Sequence, residues 1–148
     1  MPAETRLPDD DAVVRPMRCA IVVDRDLPSG RAANAAAVLA LTLGARHPGL
    51  PGAPLLDGSG QQHPGLIPIG IAVLGAPGDA LPGLRESALA RDLDLVDFPV
   101  QGQETTDYDA FGAMLRAVPA DRLSYLGLAL YGPRNAVAKV VGRLPLLS

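Results

Sequence analysis

The chain has 148 residues, the size of one ordinary domain, and a domain that long buries roughly 70% of the surface its unfolded chain exposes, so it needs no covalent staple. Cys19 is the single cysteine, which excludes an intrachain disulfide and any metal centre built on clustered cysteines. With 13 Lys and Arg against 16 Asp and Glu the net charge is −3. Its one lysine, Lys139, and its scattered arginines form no stripe of the kind that displaces counterions from phosphates, which disfavours a nucleic-acid partner.

Residues 1–16 are proline-flanked, acidic and without periodicity, and they predict a flexible N-terminal arm ahead of a single domain spanning 17–148. Charge and proline stand where a signal peptide carries an apolar stretch, and no later segment supplies the roughly 20 apolar residues of a bilayer span. The expectation is a cytoplasmic protein with no membrane partner. From Cys19 to Val23 a short, uniformly apolar, β-branched run predicts a strand buried on both faces. Asp26-Leu-Pro-Ser-Gly30 reads as a turn with Ser29 as N-cap. Arg31 to Leu43 then predicts an alanine- and leucine-rich helix closed by Gly44. That helix carries almost no charge after Arg31, so its outer side is a candidate homodimer seam.

The Gly- and Pro-dense segment from His47 to Pro64 predicts irregular backbone, with Asp57-Gly-Ser-Gly60 as a hairpin turn and Pro54–Asp57 as a minor strand. Leu66–Leu74 predicts a strand that Pro68 confines to an edge or a bulge. Pro77 to Arg91 predicts a helix with Leu81, Leu84, Ala88 and Leu89 on one face. Leu93–Phe98 predicts a third strand, followed by a helix from Asp107 to Ala117 capped by Thr105 or Thr106 and a helical turn at Pro119–Arg122. Tyr125–Tyr131 predicts a buried strand, Gly132-Pro133 a change of direction, and Asn135–Val141 a last helix ended by Gly142, with Leu144–Leu147 packing as a tail. Strands alternating with helices around buried runs make an α/β domain, a three-layer or two-layer sandwich with a small mixed sheet.

In open α/β sheets ligands sit beyond the carboxyl ends of strands, where helix N-termini present free N–H groups. Two junctions have that form. In Asp24-Arg-Asp-Leu-Pro-Ser-Gly-Arg-Ala-Ala-Asn34, Gly30 admits close backbone approach while Arg31 and Asn34 stand near the helix start and suit an anion or a carbonyl oxygen. The bland alternative makes Asp24 and Asp26 turn residues and Asn34 a loop partner. In Tyr131-Gly132-Pro133-Arg134-Asn135, Gly132, Arg134 and Asn135 offer a second anion seat, read as facing the first across one cleft.

Neither GxGxxG nor GxxxxGK[ST] occurs, which speaks against nucleotide loops. His47 and His63, each before a proline, read as exposed loop residues, Thr105, Thr106, Asp107 and Asp109 as a capped helix start, and Cys19 as an inert buried thiol. No metal and no cofactor is implied.

The segments CAIVVD at Cys19–Asp24, LPSGRAANAAAVL at Leu27–Leu39 and YLGLALYGPRNAV at Tyr125–Val137 identify the chain as a member of a bacterial family of unknown function, numbered 2000, whose fold resembles type-2 peptidyl-tRNA hydrolases. The match to the hydrolases themselves is narrower: Asp26, Leu27 and Gly30 before an alanine-rich helix, then Gly132-Pro133, Lys139-Val140, Gly142, Leu144 and Leu146. Where those enzymes carry lysines this chain has Pro28, Arg31 and Ala33, and their helix glutamine and histidine fall on Ala37 and Ala40. The resemblance therefore implies the architecture without its cations, each such donor being worth ~3–4 kcal/mol in a transition state.

Three roles follow. One is a binding domain for a small polar or anionic ligand, or a protein partner, held by Asp24, Gly30, Arg31, Asn34, Gly132, Arg134 and Asn135. Another is a divergent peptidyl-tRNA or acyl-ester hydrolase using Arg31, with Asp24 or Asp107 as base, and the third is a structural homodimer.

Overall fold

In a computed structural model that describes residues 16–148, the first apolar run becomes strand β1, Met17–Asp24. The expectation of a flexible arm over 1–16 lies, apart from Pro16, outside the described residues. Helix α1, Ser29–Arg46, follows, then the short strands β2, Leu55–Leu56, and β3, Gln62–His63. Next come strand β4, Ile71–Ala76, helix α2, Leu81–Ala90, and strand β5, Asp94–Pro99. Helix α3, Tyr108–Arg116, strand β6, Tyr125–Pro133, and helix α4, Arg134–Val141, complete the order.

The main sheet has the order β4-β1-β6-β5, and β2 and β3 form a separate two-stranded hairpin. β1 runs parallel to β4, with Cys19 opposite Ile71. It runs antiparallel to β6, with Met17 opposite Pro133 and Val23 opposite Gly127. β5 pairs antiparallel with the other side of β6. Because side chains alternate along a strand, β1 feeds two cores. Cys19, Ile21 and Val23 pack with Ala32, Ala35, Leu39 and Leu43 of α1, while Ala20 and Val22 pack on the other face with Leu81 and Ala88 of α2 and Val137, Val140 and Val141 of α4. The domain is therefore a three-layer α/β/α sandwich with a mixed sheet.

Several boundaries differ from the sequence expectation, each for a physical reason. Ser29 is the first residue of α1 and makes no cap. Pro28, whose ring presets φ near −58°, takes the N-cap position. The helix runs through Gly44 to Arg46; a helical glycine costs about 1 kcal/mol, and burial of Leu43 together with the Arg46–Asp94 ion pair offsets it.

β4 starts at Ile71, later than expected, since Pro68 has no N–H to pair and Leu66 is exposed. It is an edge strand, and the tail covers it: Gly75 N–H donates to Pro145 O at 3.0 Å and Leu147 N–H to Val73 O at 3.0 Å. The helix expected from Pro77 is split into a 3₁₀ turn, Gly78–Ala80, and α2. Leu89 lies a step around from the buried Leu81 and Ala88 and is 43% exposed.

Candidate functional site: a cleft beside helix α1

The register separates the two junctions that the sequence analysis placed together. Met17 pairs with Pro133 at one end of β1 and Asp24 ends the other. Arg134 and Asn135 thus stand a full strand length from Asp24, on the order of 20 Å at about 3.3 Å per residue. Antiparallel pairing of β1 with β6 is the cause, and no single cleft joins them.

Asp24 is a turn residue. Its Oδ1 accepts from Asp26 N–H at 3.0 Å, its carbonyl accepts from Leu27 N–H at 3.2 Å, and its other oxygen lies so close to Gly78 that a Cβ there would stand 2.7 Å away. Gly132 is buried beneath Leu93, whose Cδ2 an added methyl would overlap, so its smallness serves packing. Gly30 faces open space, with nothing within 4 Å of a notional Cβ; it contributes width, not close backbone approach.

Gly30, Arg31 and Asn34 do converge, on a cleft of about 690 Å³ between α1, β5 and α3. Its floor is Leu39, Val96 and Phe98, its α1 wall adds Val38 and Thr42, and its far wall is Tyr108, Phe111 and Leu115. The far wall exists because Asp107 caps α3: its side chain accepts from Asp109 N–H at 2.9 Å and Ala110 N–H at 3.3 Å. Thr105, expected as a cap, instead accepts from Asp107 N–H through Oγ1 at 3.0 Å. α3 turns Phe111 and Leu115 toward the cleft, and none of its residues is fully buried.

The 3₁₀ turn Val100–Gln103 joins the walls. Gln103 Nε2 donates to Arg31 O at 3.2 Å and to Asn34 Oδ1 at 3.4 Å, tying the turn to the first turn of α1. Gly102 fits only because it lacks a side chain, since Phe98 and Phe111 occupy the space a Cβ would take. The Oε1 atoms of Gln101 and Gln103 are buried without a partner among the described residues, which makes this turn the least satisfied part of the wall.

Of the candidate residues read from the sequence, Gly30, Arg31 and Asn34 line this cleft, and the apolar walls were not anticipated. Phe111 and Leu115 carried the signal, as the apolar side of a short helix that lies outside the strand pattern.

Several titratable groups away from the cleft are structural ties. Arg46 engages Asp94 through Nε at 3.2 and 3.1 Å and through Nη2 at 2.8 Å, and His47 Nε2 reaches the same carboxylate at 2.6 Å. The Arg46 hydrogen bonds hold the Asp94 carboxyl below the usual carboxylate range, against the opposing effect of its partial burial. His47 also leans on the Tyr131 ring at 4.4 Å, so it is a half-buried clamp and not the exposed loop residue expected. His63 bonds Asp57 at 2.9 Å within the β2–β3 hairpin. Burial pushes the Cys19 thiol up to about 11, in keeping with an inert core residue. Among the described residues no group of three or more His, Cys, Asp or Glu side chains could hold a metal, and no helix is long and apolar enough to cross a membrane.

No curated protein matches the chain. A solved structure of a protein of unknown function from Agrobacterium tumefaciens is similar to it, with a TM-score of 0.80 at 23% identity over 89% of this chain and 98% of that one. At that identity the likeness speaks for the fold alone. The family model described as "Protein of unknown function (DUF2000)" matches residues 17–148, essentially the whole of the sandwich, and the chain belongs to that family.

Proposed function

We propose that the protein is a binding domain whose cleft beside α1 takes a small amphipathic ligand, an apolar body with an anionic or strongly polar head. One observation carries this reading. α3 directs Phe111 and Leu115 at a cavity instead of a core, and the polar groups Arg31, Asn34 and Gln103 gather at one end of the same cavity. A concave site of roughly 300–1,000 Å³ with apolar walls and a few convergent polar groups is what small-molecule recognition uses. The body rests on Val96, Phe98, Phe111 and Leu115, and Arg31 meets the head.

Thermal shifts with hexanoate, octanoate and decanoate, set against the alcohols of equal length, test it. A ligand that binds only the native state stabilises by about 2.7 kcal/mol at a hundredfold excess over Kd. The carboxylates should raise Tm increasingly with chain length and above their alcohols. Arg31→Ala should erase the advantage of the carboxylate, and Gly30→Leu, projecting into the mouth, should block both series. No shift in any series, or shifts indifferent to both variants, would overturn the reading.

We also propose that the fold is similar to that of type-2 peptidyl-tRNA hydrolases. The support is the Asp26-Leu27 turn leading through Gly30 into an alanine-rich helix, with a closing strand and helix at Gly132-Pro133 and Lys139. The hydrolase role draws no support from its proposed bases: Asp24 and Asp107 already accept backbone N–H groups, and peptidyl-tRNA should persist unhydrolysed with purified protein. One observation favours self-association as a second reading. The outer side of α1 leaves Leu41 79% exposed with no charge between Arg31 and Arg46; a monomeric mass in solution would remove it.

A further inference from the structure

On the opposite face and at the opposite end of the sheet, a second cavity of about 630 Å³ is walled by Arg91, at the end of α2, and by Arg134, Asn135 and Lys139 of α4, with Pro16 and Pro133 at its rim. In a chain of net charge −3, three cations from two elements share this cavity, and no carboxylate lines it. None of the ion pairs among the described residues uses any of the three, whereas Arg46 and Arg85 are both matched to aspartates. Lys139 is the only lysine in the chain. Like charges held together cost free energy unless something compensates them, and the packing of α2 against α4 beside β6 keeps these three on one wall.

We infer that this cavity is a seat for a phosphate group, separate from the cleft beside α1. Two guanidinium forks and an ammonium suit the three outer oxygens of a phosphate, because arginine pairs bidentately with such groups and lysine meets them as a point charge. The side chains do the holding. The first backbone N–H of α4, that of Arg134, is already donated to Pro16 O at 2.9 Å. Asn135 adds a neutral donor at the same wall, fitting a phosphomonoester of a small molecule, whose remaining part extends past the proline rim into solvent.

The test is a titration of the intact chain with inorganic phosphate and, separately, glycerol 3-phosphate at low salt, followed by the NMR signals of the arginine Nε–H groups. Saturable shifts of Arg91 and Arg134 are expected. R91Q, R134Q and K139Q should each weaken binding about fivefold, the equivalent of one exposed charge pair, while R116Q on the other face leaves it unchanged. Tighter binding of glycerol 3-phosphate would assign the seat to a phosphomonoester, and equal binding to free phosphate, both being phosphate seats. Shifts that never saturate, or a loss in R116Q as large as in R134Q, would overturn the inference. All four positions are exposed, and unchanged Tm values would show that the variants remain folded.

Discussion

At the scale of the residue, two glycines that look alike in the sequence do opposite work. Gly30 and Gly132 both stand at strand-to-helix junctions and both suggest a backbone kept bare for a ligand. Gly30 is bare toward the cleft, with nothing within 4 Å of a notional Cβ, and it lies in the first turn of α1. There a methyl group removes unfolded-state freedom and clashes with nothing. Gly132 is buried under Leu93, and an added methyl must displace that side chain and the end of β6 with it. Gly30→Ala should therefore raise the unfolding free energy by about 0.5–1 kcal/mol, and Gly132→Ala should lower it by about 1–3 kcal/mol through overpacking. Urea unfolding of the two variants, compared at equal m-value, checks both signs. A stabilised Gly132 variant would mean that Leu93 yields freely, and that the bareness of Gly132 still needs an explanation.

At the scale of the element, the C-terminal turn of α1 is fastened to the start of β5 by one carboxylate. Asp94 takes Arg46 in a fork and His47 at 2.6 Å, and its side chain is 22% exposed. Its folded pKa lies below the ordinary value, chiefly because of the Arg46 hydrogen bonds. A depressed carboxylate contributes stability that is fully present above the unfolded value, ~3.9, and is lost as pH falls through the folded one. Asp94→Asn should cost about 1–2 kcal/mol at pH 7, discounted because more than half of the Arg46 side chain faces water. The gap between wild type and variant should close as the pH drops below about 4. Urea midpoints taken from pH 7 downward measure this directly, and a gap that does not narrow at all below about pH 4 would assign the effect to shape instead of charge. This tie was illegible in the sequence because its partners are 47 and 48 positions apart, and only the sheet order brings them together. The strands were legible for the converse reason: an apolar run such as Cys19–Val23 declares burial locally. The cleft was half legible. Arg31 and Asn34 announce themselves at a helix start, whereas Phe111 and Leu115 look like core until the fold opens a cavity between α1, β5 and α3.

At the scale of the whole molecule, the alternation of β1 supplies both cores from one strand. Cys19, Ile21 and Val23 serve the α1 face and Ala20 and Val22 the face of α2 and α4, with β6 divided in the same way between Ala129 and the pair Leu128 and Leu130. Since each core rests on strands that the other uses, we propose that residues 17–148 unfold as one domain. The direction of β6 was the feature that local sequence could not convey: reversing one strand against its neighbour moved Arg134 and Asn135 from the expected cleft to the far end of the sheet. Leu39→Ala in one core and Val137→Ala in the other, both fully buried, should each lower stability, the leucine by about 2–5 kcal/mol and the valine by less. Since the two side chains lie on opposite faces of the sheet and share no contact cluster, their costs should add to within about 0.5 kcal/mol. Each variant should still unfold in one transition, with near-UV and far-UV circular dichroism coinciding. If Leu39→Ala instead split the curve, so that α1 melted while β6 and α4 held, the chain would have to be divided along its sheet. The cleft beside α1 would then belong to the less stable part.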